Sequence, residues 1–76
     1  MTIRNLRYPI IIEKGPTSYG AYSPDLPGCV AVGNSVEEVK TLMQKAIEMH
    51  IQGMIDDGDP IPEPSETEWI DVAVAS

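Results

Sequence analysis

The side chains best suited to catalysis or metal binding occur singly in this chain of 76 residues, which has one histidine, His50, and one cysteine, Cys29. A zinc site needs several His, Cys or carboxylate ligands that converge, so none is expected. Catalysis by His50 would need a nucleophile or an orienting acid beside it, and no motif supplies one. We expect His50 to pack on the apolar face of a helix and Cys29 to be a small buried residue of a strand.

Charge is distributed unevenly along the chain, whose net charge is −7. No lysine or arginine follows Lys45, whereas eight of the 12 acidic residues do. These acids are Glu48, Asp56, Asp57, Asp59, Glu63, Glu66, Glu68 and Asp71. Such a surface repels nucleic acid and attracts a basic protein. The alternative interpretation is a solvated acidic face that keeps the protein soluble.

Four segments alternate with the two-residue period of a strand. They are residues 6–13, 18–23, 29–32 and 69–75. Pro9 lacks an N–H group, so regular pairing of the first strand is expected only after it. A hairpin turn over 14–17 joins the first two strands, and a Pro-Asp-Leu-Pro-Gly corner leads to the third.

A single long helix is predicted between Ser35, a favourable N-cap with Glu38 three residues later, and Gly58. Its apolar residues recur at helical spacing and cover about half the circumference, which is typical of a helix on a sheet. The order β-β-β-α-β predicts an α+β fold, a small sheet with one helix on one face. The 76 residues allow one domain, 1–76.

Three segments carry a resemblance to a known family: Tyr22-Ser-Pro-Asp-Leu-Pro-Gly-Cys29, Ala46-Ile-Glu-Met-His50 and Asp57-Gly-Asp-Pro-Ile-Pro-Glu-Pro64. Together with the Glu37-Glu38 helix start, they resemble the N-terminal, partly ribonuclease H-like domain of the HicB-like antitoxins. The resemblance implies binding to a small basic HicA-like toxin that degrades messenger RNA. Typical members continue past the equivalent of Ser76 into a DNA-binding domain. The 76 residues do not include such a domain, so direct binding to nucleic acid is not expected.

Contacts with a toxin are expected at exposed acids on loops or strand edges, namely Asp25, Glu63, Glu66 and Glu68. Because so short a chain builds a marginal core, we also expect a dimer or a higher oligomer. The predicted contacts between copies are Met49, Ile55, Trp69, Ile70 and Val72. Met49 and Ile55 lie at the margins of the helix's apolar face, near an end that is expected to extend beyond the small sheet. The other three lie on the last predicted strand, whose edge is open for pairing.

Two function classes remain open. The first is a cytoplasmic, non-enzymatic antitoxin without a cofactor, since the chain has neither a signal peptide nor an apolar run long enough for a membrane. The second is an orphan oligomeric domain that binds a small ligand or retains metal-dependent nuclease activity. A nuclease of the ribonuclease H type needs an acid in the middle of the first strand, where this chain has Ile10-Ile-Ile12, with Glu13 at the end.

Overall fold

The computed structural model describes residues 5–75 and contains three strands followed by one helix. The elements are β1 (Ile11–Lys14), β2 (Tyr19–Tyr22), β3 (Val30–Gly33) and α1 (Val36–Asp57). The strands form an antiparallel sheet in the order β1-β2-β3. The predicted α+β class, with one long helix on a small antiparallel sheet, is therefore confirmed.

The register of the sheet places small residues beneath the helix. Ile12, Ala21 and Ala31 form one cross-strand row, and Ala21 is buried. Because Ala21 and Ala31 are small, α1 can approach β2 and β3, against which it mainly packs. The opposite face carries the row of Ile11, Tyr22 and Val30, all of which remain substantially exposed.

The hydrophobic core lies between the sheet and the first two-thirds of α1. Its buried members are Ala21, Leu26, Cys29, Val39 and Met43, and partly buried apolar side chains around them extend along the helix to Ile51. The end of α1 therefore projects beyond the core, and Ile55 is 53% exposed. Met49 precedes Ile51 and lies alongside the core, but its side chain is 75% exposed. No helix in the described chain is long and apolar enough to span a membrane.

Both ends of α1 match the prediction. The Ser35 hydroxyl accepts a hydrogen bond from the Glu38 amide at 3.1 Å, and the Glu38 carboxylate accepts one from the Asn34 amide at 3.3 Å. At the other end Gly58 adopts a left-handed φ of 74°, and the amides of Gly58 and Asp59 bond to carbonyls of the last turn. This is the glycine-terminated helix end that satisfies otherwise unpaired carbonyls.

Two predicted strands differ from those observed. The first begins at Ile11 and not at residue 6, because Pro9 cannot donate to a sheet ladder. The predicted fourth strand over 69–75 is wrong: in the described chain this segment pairs with no strand. An alternating pattern favours the extended conformation of a strand. It does not provide the neighbouring strand with which a hydrogen-bonded ladder would form.

Candidate protein-interaction surface

The corner between β2 and β3 closes one end of the core. Leu26 inserts its side chain into the core and is fully buried, although it lies between two prolines in the sequence. Its amide donates to the Ser23 carbonyl at 3.2 Å, and its own carbonyl accepts from the Cys29 amide at 3.1 Å. Gly28 adopts a φ of 85°, which favours glycine. The corner thus closes this end of the core with the Leu26 side chain and leaves the preceding residue, Asp25, partly exposed at the surface.

Asp25 fastens the segment after the helix to this corner. Its carboxylate accepts hydrogen bonds from the Ser65 amide at 2.9 Å and from the Ser65 hydroxyl, 40 positions along the chain. These two bonds lower the pKa of the Asp25 carboxyl because they favour its charged form. Asp25 was predicted as a partner contact, and the structure gives its carboxylate an internal role that sequence spacing did not indicate.

A second hydrogen bond fixes the segment that follows the helix. The Tyr8 hydroxyl donates to the Pro62 carbonyl at 2.6 Å. Three prolines between residues 60 and 64 restrict the backbone here, so little conformational freedom is lost when it is fixed. Two hydrogen-bonded points therefore position Glu63, which is exposed, between them.

The acidic side chains cluster at the end of α1 and along the segment that follows. Asp56 and Asp57 occupy the last helical turn, which has no basic residue. Negative charge is unfavourable there by about 0.3–1 kcal/mol because the helix dipole is negative at this end. Neither acid was among the predicted partner contacts, although an acidic last turn of a helix is visible in the sequence. All four acids, Asp56, Asp57, Glu66 and Glu68, are exposed, so both the end of the helix and the following segment carry negative charge at the surface.

Exposed apolar side chains accompany these charges. Trp69, Ile70 and Val72 are 90%, 85% and 74% exposed. The loop after α1 leaves Met49 and Ile55 uncovered as well. All five residues predicted as contacts between copies are therefore accessible, although the structure contains no second copy to receive them.

Groups that could do chemistry are not gathered into a site in the described residues. Cys29 is buried, and its burial raises the thiol pKa, which disfavours the reactive thiolate. His50 is half-buried on α1. Among residues 5–75 no three His, Cys, Asp or Glu side chains are placed to hold a metal ion.

Residues 8–74 match the family model described as the HicB-like antitoxin of bacterial toxin–antitoxin systems. Among solved structures, a chain of the HicA3 and HicB3 toxin–antitoxin complex superimposes with a TM-score of 0.67 and is 32% identical. That match covers 79% of this chain and 70% of the other.

Three related proteins show the same similarity in sequence. An uncharacterized 14.9 kDa protein of Haemophilus phage HP1 is 38% identical over 80% of this chain and 46% of its own length. Antitoxin HicB 2 of Photorhabdus laumondii is 31% identical over 82% of this chain and 45% of its own. A UPF0150 protein of Synechocystis is 34% identical over 72% of this chain and 71% of its own length. The chain spans about half the length of the first two relatives.

Proposed function

Because the chain belongs to the HicB-like antitoxin family of bacterial toxin–antitoxin systems, we propose that it binds a toxin protein and masks its active surface. The proposed partner is a small, basic, HicA-like ribonuclease that degrades messenger RNA, and the two proteins meet in the cytoplasm. The match to the family over residues 8–74 is the observation that carries this proposal. The chain acts in it as a ribonuclease inhibitor by binding, and not as an enzyme.

The charge of the described surface supports a basic partner. An RNA-binding toxin needs positive charge to grip phosphates, and the acids after Lys45 offer a complementary field. Glu63, Glu66 and Glu68 are the proposed contacts. Asp25 contributes by holding Ser65, and therefore the segment that carries these acids, against the corner.

Co-expression with the toxin-like protein encoded beside this chain tests the proposal. Cells that express that protein alone should stop growing, and cells that express both should grow while the two proteins co-purify. If growth arrest is unchanged and no complex is recovered, the antitoxin function is wrong.

Replacing Glu66 and Glu68 by glutamine should slow association with the toxin by a few-fold to about tenfold, since exposed interface charges mainly tune the association rate. The dependence of that rate on salt should weaken as well. Stopped-flow or surface-binding kinetics at two ionic strengths measure both effects.

The matched control replaces Glu37 and Glu48, which lie on α1 and outside this segment, by glutamine. This pair changes the net charge equally, so it should alter the rate much less. Equal effects of the two pairs would mean that net charge, and not these two positions, attracts the toxin.

A further inference from the structure

The segment 69–75 is an apolar arm that lacks a partner in the described chain. Ile70, Val72 and Val74 alternate with Trp69, Asp71 and Ala73. Four of these side chains, those of Trp69, Ile70, Val72 and Val74, are between 74% and 90% exposed. The radius of gyration of 15.0 Å exceeds the roughly 11 Å of a compact chain of this length, as a protruding arm requires.

The sheet offers a place for one more strand beside β1. In the described chain β1 pairs only with β2, so its outer edge has unpaired backbone groups. The helix packs mainly against β2 and β3 and leaves the core face near β1 open. There, a cavity of about 590 Å³ has an apolar part lined by Leu6, Tyr8, Ile10, Met43 and Ile47. The rest of its lining is polar and comprises Asn5, Arg7, Lys40, Gln44 and Glu48.

We propose that the arm 69–75 of one copy adds to β1 of a second copy as a fourth strand, and that the second copy returns the same contact. The alternation places Ile70, Val72 and Val74 over the apolar part of the cavity. Asp71 and Trp69 then lie on the outer face, beside the exposed row that starts at Ile11. Main-chain hydrogen bonds to an open edge and alternate side chains in a cavity together constitute strand addition.

Charge and area both favour a second copy as the occupant. The arm and its approach carry three acids and no base, Glu66, Glu68 and Asp71, whereas the receiving edge carries two bases, Arg7 and Lys14, and one acid, Glu13. Ile70, Val72 and Val74, which the alternation places against the cavity, are 85%, 74% and 76% exposed in the single chain, so their apolar surface is available for burial. A stable interface buries roughly 1,200–2,000 Å² in total, which is why both copies must contribute an arm and a receiving edge.

Light scattering during size-exclusion chromatography, combined with hydrogen exchange, tests the proposal without any toxin. The purified full chain should have twice the chain mass, and the amides of both 11–14 and 69–75 should be protected. Val72→Asp should weaken dimerisation about 100-fold or more, because a carboxylate would replace an apolar side chain over the apolar part of the cavity. Protection should fall at β1 and at the arm together.

Ala73→Asp is the matched control, since it adds the same charge on the face that already carries Asp71, and it should change dimerisation only a few-fold. Helical circular dichroism should be the same for both variants, because the arm lies outside the core. A monomer, whether its arm is exposed or protected on its own sheet, overturns the proposal. So does a dimer that Val72→Asp leaves intact.

Discussion

At the scale of single residues, Asp25 and Ser65 decide where the chain goes after the helix. The two hydrogen bonds to the carboxylate join a corner between strands to a segment 40 residues away. They are made best by the charged carboxylate, which is why they lower its pKa. The contact is therefore sensitive to pH in a predictable direction.

Asp25→Asn should loosen the segment around Ser65 at neutral pH. A carboxyl whose pKa is lowered by folding contributes stability above its unfolded value of about 3.9, and this contribution is lost as pH falls through the folded value. The difference in melting temperature between wild type and variant should thus be present at pH 7 and shrink below about pH 4. Asp59→Asn is the control at neutral pH: it removes a charge away from this contact and should leave the segment around Ser65 in place.

Gly33 shows how closely the end of β3 approaches the helix. A Cβ atom added there would lie 3.0 Å from both the Glu38 carboxylate oxygen Oε1 and a methyl carbon of Val39. Val39 is fully buried and cannot move aside. Gly33→Ala should therefore destabilise the fold by about 1–3 kcal/mol, as overpacking does.

Gly53 provides the control, because nothing lies within 4 Å of a Cβ added at that helical position. Gly53→Ala should stabilise the fold by about 0.5–1 kcal/mol through the higher helix propensity of alanine. Chemical denaturation of the two variants should give free energies of unfolding that change in opposite directions. Equal changes would contradict the close approach at Gly33.

At the scale of elements, the corner 23–29 is as much a part of the core as any strand. It has no regular secondary structure, yet it contributes Leu26 and Cys29, two of the five buried apolar residues. The corner positions Asp25, and through it the acidic segment. Its packing is consequently a condition for the proposed interaction surface.

Leu26→Ala should cost about 2–5 kcal/mol of unfolding free energy, since it removes a fully buried side chain. So large a loss is comparable with the whole stability of a small domain, so much of the variant should be unfolded at 37 °C. Leu42→Ala, at a helical position that is 38% exposed, should cost much less. Circular dichroism during urea denaturation measures both.

At the scale of the whole molecule, the chain combines a small core with a large exposed apolar arm and a net charge of −7. If arms are exchanged between copies, folding and assembly are coupled. The melting temperature should then rise with protein concentration, by a few degrees for each tenfold increase. A melting temperature independent of concentration from about 1 to 100 µM would contradict this coupling.

The sequence by itself determined the features that depend on neighbours along the chain. Ser35 and Gly58 set the helix limits, because capping is a contact between residues a few positions apart. The two-residue period predicted the three observed strands to within a few residues, except that the first begins only after Pro9. The corner motif and the helix start also carried the resemblance to the antitoxin family, which the family match confirmed.

Only the tertiary structure decided the features that join distant residues. The Asp25–Ser65 contact joins residues 40 positions apart, and the spacing of an aspartate and a serine does not predict it. Residues 69–75 have the period of a strand but no neighbouring strand in the described chain, so their pattern could not fix their pairing. A pattern sets which side chains share a face, whereas pairing depends on which backbone edge remains open in three dimensions.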